Sequence, residues 1–97
     1  MAIRLLVPFT ALPGKRDELI AIFSSLAAEV HQEPGCEEYE LYQSTTELNR
    51  MVLLEQWTDE DSLAAHAENN RKRNLNLTSL REGNTAPMER YIMGPSN

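Results

Sequence analysis

A chain of 97 residues with 41% hydrophobic side chains has room for one domain and one thin core layer. Its net charge of −6 and isoelectric point near 4.8 disfavour nucleic acids and anionic membranes as partners, because both carry negative charge. A single cysteine fits a reducing compartment, and the apolar run at residues 5–7 stops at Pro8, too early for a signal peptide. We therefore predict a cytoplasmic protein with one domain at 1–93 and a tail at 94–97.

The first two elements follow from the spacing of apolar residues. Residues 2–9 place alternate apolar side chains on one face, which predicts a strand, and Pro8 belongs near its end or on an open edge. After the turn Leu12-Pro13-Gly14, a helical repeat predicts a helix over residues 15–32. The predicted apolar stripe of this helix comprises Leu19, Ile22, Phe23, Leu26 and Val30.

Two further strands are predicted at residues 36–44 and 50–57, joined by a polar hairpin loop at 45–49. In the second, residues 51–54 are apolar without alternation, which predicts that both faces of the strand are covered. Helices cover one face, so we expect a second copy of the chain to cover the other.

The remaining elements are a second helix and a last strand. Thr58 or Asp59 begins the helix, with Thr58 and Asp61 resembling a capping box, and Asn69-Asn70 predicts a break. A further helical segment is predicted at residues 71–81, ending at Gly83-Asn84, and a strand at 88–93. This order predicts an α+β, ferredoxin-like split βαβ fold, with an antiparallel four-stranded sheet and helices on one face.

Several short motifs occur in an order and spacing that resemble the antibiotic biosynthesis monooxygenase domain family, within the dimeric α/β-barrel group. They are Pro34-Gly35-Cys36, Tyr39-Glu40-Leu41-Tyr42, Asn49-Arg50, Leu53-Leu54-Glu55-Gln56-Trp57 and Ala65-His66. The resemblance covers roughly residues 2–92. It implies a homodimer that packs sheet to sheet, and a pocket in each subunit between its sheet and its helices. It also implies oxidation of quinol- or anthrone-type substrates with no metal or flavin, although relatives include isomerases of a phosphorylated signal and haem-degrading enzymes.

The sequence departs from these branches near the second helix. The segment Asn74-Leu75-Asn76-Leu77 lacks the histidine of the haem-degrading relatives. In the first helix, Leu26-Ala27-Ala28 stands where the isomerase branch carries a histidine. Many family members follow the second-helix histidine with a Pro-His-aromatic pattern, and this chain has Asn69-Asn70-Arg71-Lys72-Arg73 instead. The predicted pocket rim is therefore polar and basic.

Three residues are the candidate catalytic groups. A histidine side chain ordinarily exchanges its proton near neutral pH, so His66 is a candidate acid or base; its alternative role is a donor that orders a loop. Glu55 lies among apolar neighbours, and burial would raise its pKa and make it a base; alternatively it pairs with an arginine. Trp57 shares the face of Glu55 and would form an aromatic pocket wall or plain core.

Substrate contacts are predicted from the basic run and the tyrosines. Arg71 and Arg73 could hold a carboxylate or phosphate, or could lie on a solvated helix face. Tyr39 and Tyr91 could line the pocket or the dimer seam. We expect a packing role for Cys36, because no partner for a nucleophile is apparent.

The sequence thus predicts a cofactor-independent monooxygenase that oxidises a small phenolic or quinol-type aromatic substrate with dioxygen. Two alternatives stay open: a non-oxidative enzyme such as an isomerase acting on a phosphorylated compound, and a dimeric ligand-binding module without catalysis.

Overall fold

The computed structural model describes residues 1–83 and 86–94 and contains four strands and two helices. In chain order they are β1 (Ile3–Thr10), α1 (Arg16–Val30), β2 (Cys36–Gln43), β3 (Arg50–Trp57), α2 (Glu60–Arg73) and β4 (Glu89–Ile92). The strands form one antiparallel sheet in the order β2-β3-β1-β4. This is the predicted ferredoxin-like arrangement, and the fold prediction is confirmed.

The core lies between the inner face of the sheet and the two helices. Alternation along β1 and β3 directs Ile3, Leu53 and Trp57 inward, where they are at most 4% exposed. The stripe of α1 meets this face: Leu19, Phe23, Leu26 and Val30 are all buried. Pro8 lies in the part of β1 beyond its pairing with β4, which spans Ile3 to Leu6, as predicted for an open edge.

Two predictions about the second helix are wrong. Asn69 and Asn70 do not break α2, which continues to Arg73. The separate helix predicted at 71–81 does not form; beyond α2 this segment contains a turn, in which the backbone N–H of Leu80 donates to the Leu77 carbonyl. The helix ends because Asn74 adopts a left-handed conformation, with φ of 52°. The predicted helix end at Gly83-Asn84 and residues 95–97 of the predicted tail include positions outside the described residues.

The predicted start of α2 at Thr58 or Asp59 is confirmed, with Asp59 as the cap, whereas the predicted capping box of Thr58 and Asp61 is wrong. The side chain of Asp59 accepts a hydrogen bond of 2.8 Å from the backbone N–H of Ser62. The Thr58 hydroxyl instead donates to Glu37 at 2.9 Å. Within the described residues, neither helix combines the length and the apolar composition that crossing a membrane requires.

Candidate functional site

A polar cluster lies where α2 crosses the C-terminal end of β3. Glu55 and Trp57 are two residues apart on β3, so both project to the inner face of the sheet. His66 projects from α2 onto the same place. The three side chains sit deep in the fold, since Glu55 is 6%, His66 3% and Trp57 0% exposed.

The three predicted catalytic residues contact one another. The indole N–H of Trp57 donates to Glu55 Oε1 at 3.0 Å, and its ring stacks on the His66 imidazole with centroids 4.5 Å apart. His66 Nε2 lies 3.5 Å from the same Glu55 oxygen. Tyr39, predicted as a substrate contact, meets the imidazole edge-on at 5.8 Å. The structure therefore brings four of the predicted site residues together.

The other side of His66 is held by Glu33, from the turn after α1. His66 Nδ1 lies 3.1 Å from Glu33 Oε1, which also accepts a hydrogen bond of 3.0 Å from the Asn69 amide. Arg73 donates to the second Glu33 oxygen at 2.9 Å. Burial pushes the pKa of Glu33 up, but the bonds from Asn69, Arg73 and His66 outweigh it and hold the pKa below its usual range.

Glu55 has the opposite electrostatic environment. Burial raises its pKa, and the Trp57 hydrogen bond, together with the charge that His66 carries when it is protonated, offsets that effect only in part. Burial and the charge of Glu55 also raise the pKa of the Tyr39 hydroxyl. The two carboxylates that flank His66 therefore differ, because Glu33 is stabilised as an anion and Glu55 is biased towards the protonated acid.

The remaining candidate residues lie apart from this cluster or on its outside. Arg71 is exposed and pairs with Glu68 at 2.8 Å. Arg73, in contrast, lies on the inner side of α2 and pairs with Glu33. Tyr91 is 48% exposed on β4 and its hydroxyl donates to Glu89. Burial and nearby carboxylates raise the pKa of the half-buried Cys36 thiol, which is unfavourable for a nucleophile.

Two cavities lie beside the sheet, and neither is lined by Glu55, Trp57 or His66. A cavity of about 150 Å³ lies between α1 and the sheet, and its lining includes Phe23, Leu41 and Met51. A larger one of about 480 Å³ lies near the hairpin end of the sheet and includes Tyr42 and Arg50. Among the described residues, His, Cys, Asp and Glu side chains form no group of three or more arranged to hold a metal ion.

Sequence reasoning missed Glu33, Asn69 and Asn70. The helical spacing contained a signal for the two asparagines, since positions three, four and seven residues after His66 lie on the same helix face. Reading Asn69-Asn70 as a break concealed that signal. Glu33 lies in a turn, where no periodic pattern indicates which way a side chain points.

Comparison with known proteins extends these observations. The sequence model for antibiotic biosynthesis monooxygenases matches residues 2–74. The chain is 36% identical over 56 residues to the protein named "Putative monooxygenase YcnE" from Bacillus subtilis (strain 168), an alignment that spans 58% of this chain and 59% of that relative.

Solved structures give the same result for the fold. A conserved protein from Methanosarcina mazei Go1 superposes with a TM-score of 0.84 at 28% identity, over 94% of this chain and 91% of that one. The structure of the "putative Antibiotic biosynthesis monooxygenase from Chloroflexus aurantiacus J-10-fl" has a TM-score of 0.79 at 21% identity. It covers all of this chain and 97% of the other, and supports the fold alone. Because the family match extends over most of the residues, the chain belongs to the antibiotic biosynthesis monooxygenase family.

Proposed function

We propose that this protein is a monooxygenase that oxidises a small phenolic or quinol-type substrate with dioxygen, using no metal or flavin. The observation that carries the proposal is the buried Glu55 carboxylate, whose pKa is raised and which lies beside the stacked rings of Trp57 and His66. A carboxylate of raised proton affinity can act as a base near neutral pH. Family membership supports the reaction class.

In this proposal Glu55 is the base and His66 supports it. Both ring nitrogens of His66 already have partners, Glu33 at Nδ1 and Asn70 at Nε2, so the imidazole is poorly placed to accept a substrate proton. Glu55 removes the proton, and the substrate anion supplies the electrons that reduce dioxygen. For an anthrone-type methylene, one oxygen atom becomes the new carbonyl, and the other leaves as water with the two hydrogens.

Substrate reaches Glu55, we propose, through movement of α2. Within this helix, all of which is described, His66 is the single buried residue. Leu63 is half-buried against the core, and the other contacts that hold the helix are mainly polar, such as the Glu33–Arg73 and Arg90–Glu60 ion pairs. Such contacts exchange readily with water, so little apolar burial opposes a displacement of α2.

The alternatives differ in their support. The basic run gives weak support to an enzyme acting on a phosphorylated substrate, because Arg71 and Arg73 are both already paired with glutamates. A ligand-binding module without turnover is the second candidate, and it is favoured by the internal pairing of both His66 ring nitrogens, which gives this residue a structural role.

We further propose that two copies pair through the outer face of the sheet. Leu6, Val52 and Leu54 project there from the two central strands, between Tyr42 on β2 and Tyr91 on β4, which are 51% and 48% exposed. A face with apolar residues at its centre and polar ones at its rim is typical of subunit interfaces.

The test uses metal-free protein with a panel of anthrone- and quinol-type compounds, following oxygen uptake and the incorporation of labelled oxygen into the product. We expect uptake above buffer for at least one compound. Glu55→Gln should reduce turnover by at least about 100-fold, because a positioned base contributes that much or more. The matched control Glu68→Gln changes an exposed carboxylate on α2 and should retain activity.

No uptake across the panel would refute the monooxygenase proposal. Under that result, a compound that raises the melting temperature of the wild-type protein without being converted would support the binding module instead.

A further inference from the structure

Three side chains on one face of α2 form a continuous chain of hydrogen bonds. His66, Asn70 and Arg73 are spaced by four and three residues, so they are neighbours along the helix surface. Arg73 Nη1 lies 2.8 Å from Asn70 Oδ1, and Asn70 Nδ2 lies 3.0 Å from His66 Nε2. Arg73 also reaches Glu33, which contacts the opposite ring nitrogen of His66.

The chemistry of these groups determines the direction of each bond. A guanidinium can only donate, so the Asn70 atom facing Arg73 must be the amide oxygen. The amide nitrogen then faces His66 Nε2 and must donate to it, which requires that Nε2 carries no proton. The ring proton is therefore on Nδ1, where it is donated to the Glu33 carboxylate.

We propose that Arg73, Asn70 and Glu33 are positioning residues that hold His66 as a neutral imidazole with its proton on Nδ1, so that an unprotonated Nε2 faces Glu55. This inference deepens the proposed function and rests on it for its catalytic meaning. It assigns Arg73 a place inside the protein's own network, in contrast to the substrate contact predicted from the sequence.

The tautomer affects how strongly Glu55 binds a proton. Nε2 lies 3.5 Å from Glu55 Oε1. In the Nδ1–H tautomer the lone pair of Nε2 is taken up by the Asn70 amide, and the neutral ring places neither a positive charge nor an N–H against Glu55, so the carboxylate keeps the raised proton affinity that burial gives it. The other tautomer would direct an N–H at the carboxylate, stabilise the anion and weaken the base.

The decisive measurement is the nitrogen NMR spectrum of the two ring nitrogens of His66, in protein labelled at histidine. The chain has two histidines, so His31→Gln assigns the signals. We expect the wild-type protein to show a protonated Nδ1 and an unprotonated Nε2. A wild-type spectrum with the proton on Nε2 would overturn the inference.

Variants test the cause of the tautomer. Arg73→Met keeps an apolar stem and frees the Asn70 amide to turn over, so the Nε2–H form should appear. Asn70→Asp, a second variant of nearly the same shape, places an acceptor at Nε2 and should protonate it. Arg71→Met is the matched control, because Arg71 lies in the same basic run but is exposed, and its spectrum should equal that of the wild-type protein. Unchanged spectra in both Arg73→Met and Asn70→Asp would overturn the inference.

Turnover separates this inference from the proposed function. Arg73→Met should lower kcat by about 10- to 100-fold, as for other positioning partners, and should change KM little. Glu68→Gln, the exposed carboxylate on α2, should leave both constants unchanged. If the wild-type protein turns over no substrate but the tautomers change as expected, the proposed function fails and the positioning network stands. If turnover is present and the wild-type tautomer is Nε2–H, the positioning inference fails alone.

Discussion

Glu33 and Glu55 flank one imidazole, and their surroundings act on them in opposite directions. Glu33 accepts hydrogen bonds from Asn69, Arg73 and His66, which stabilise its anion. Glu55 accepts one hydrogen bond, from the Trp57 indole, and burial is the largest influence on its pKa. The two side chains should therefore contribute to stability with opposite dependence on pH.

Glu33→Gln should destabilise the protein at neutral pH by about 1–3 kcal/mol, because it removes charge-assisted bonds from a buried site. The pKa of Glu33 is lowered on folding, so its stabilisation is present above the unfolded value of 4.5 and is lost as pH falls through the folded value. Urea denaturation across this range should show the deficit of the variant shrinking in acid. Glu40→Gln, an exposed carboxylate on β2, is the control, and a deficit of Glu33→Gln that persists unchanged in acid would contradict the prediction.

Glu55→Gln should raise the free energy of unfolding at neutral pH, since it removes a buried charge and keeps an acceptor for Trp57. The pKa of Glu55 is raised on folding, so the wild-type protein is relatively most stable below pH 4.5 and loses stability as pH rises through the folded value. The advantage of the variant should accordingly disappear in acid, as measured by the same urea titrations. A variant less stable than wild type at neutral pH would show that the carboxylate is needed for structure.

At the scale of elements, the position of α2 depends on the turn before β2. Gly35 has φ of +84°, and its carbonyl accepts a hydrogen bond of 2.9 Å from the Thr58 backbone N–H at the end of β3. A Cβ added at Gly35 would overlap the Oγ and Cβ of Ser62 in the first turn of α2. The turn that carries Glu33 therefore packs directly against the helix that carries His66.

Three alanine substitutions separate the two reasons for a glycine at position 35, which are its positive φ and its close contact with Ser62. Gly35→Ala should destabilise the protein by about 2 kcal/mol or more, because it adds a steric overlap to an unfavourable backbone conformation. Gly14 has φ of +77° with open space around it, so Gly14→Ala should lower the free energy of unfolding by about 1 kcal/mol. Gly83→Ala also has open space and should stay within about 0.5 kcal/mol of wild type. Equal losses at Gly35 and Gly14, measured by denaturant unfolding, would show that Ser62 yields at no cost.

At the scale of the whole molecule, the sheet is covered by helices on one face only. The outer face carries Leu54, which is 8% exposed, together with the half-buried Leu6 and Val52. Arg4, Gln56 and Glu37 form a hydrogen-bonded chain beside them, which provides a polar border. This distribution is the reason to expect a second copy there.

Leu54→Lys should convert a dimer into a monomer, because it places a charge at the centre of the proposed interface. Sedimentation equilibrium should give about twice the chain mass of 11.0 kDa for wild type and the chain mass for the variant. Leu48→Lys changes a leucine in the hairpin loop that is 47% exposed, and should behave as wild type. A monomeric wild-type protein at micromolar concentration would contradict the proposed interface.

The sequence alone predicted the fold because its strongest signals are local. Alternation in β1 and β3 and the apolar stripe of α1 arise from backbone geometry, so they are visible without tertiary contacts. The sequence also placed Glu55 and Trp57 on β3 and His66 on α2, two elements that face each other in the predicted fold. Their convergence followed from the predicted topology.

Tertiary structure decided what the local patterns left open. The continuation of α2 through Asn69 and Asn70 depends on the bonds that Asn69 and Arg73 make to Glu33, which lies in the turn after α1, and these contacts outweigh the weak helix propensity of asparagine. The same contacts hold Arg73 on the inner side of α2, whereas Arg71 is exposed. The sequence of three consecutive basic residues does not indicate which of them faces inward. Sequence thus determined which residues share a face, whereas the partners of His66 depended on how the turn after α1 packs against α2.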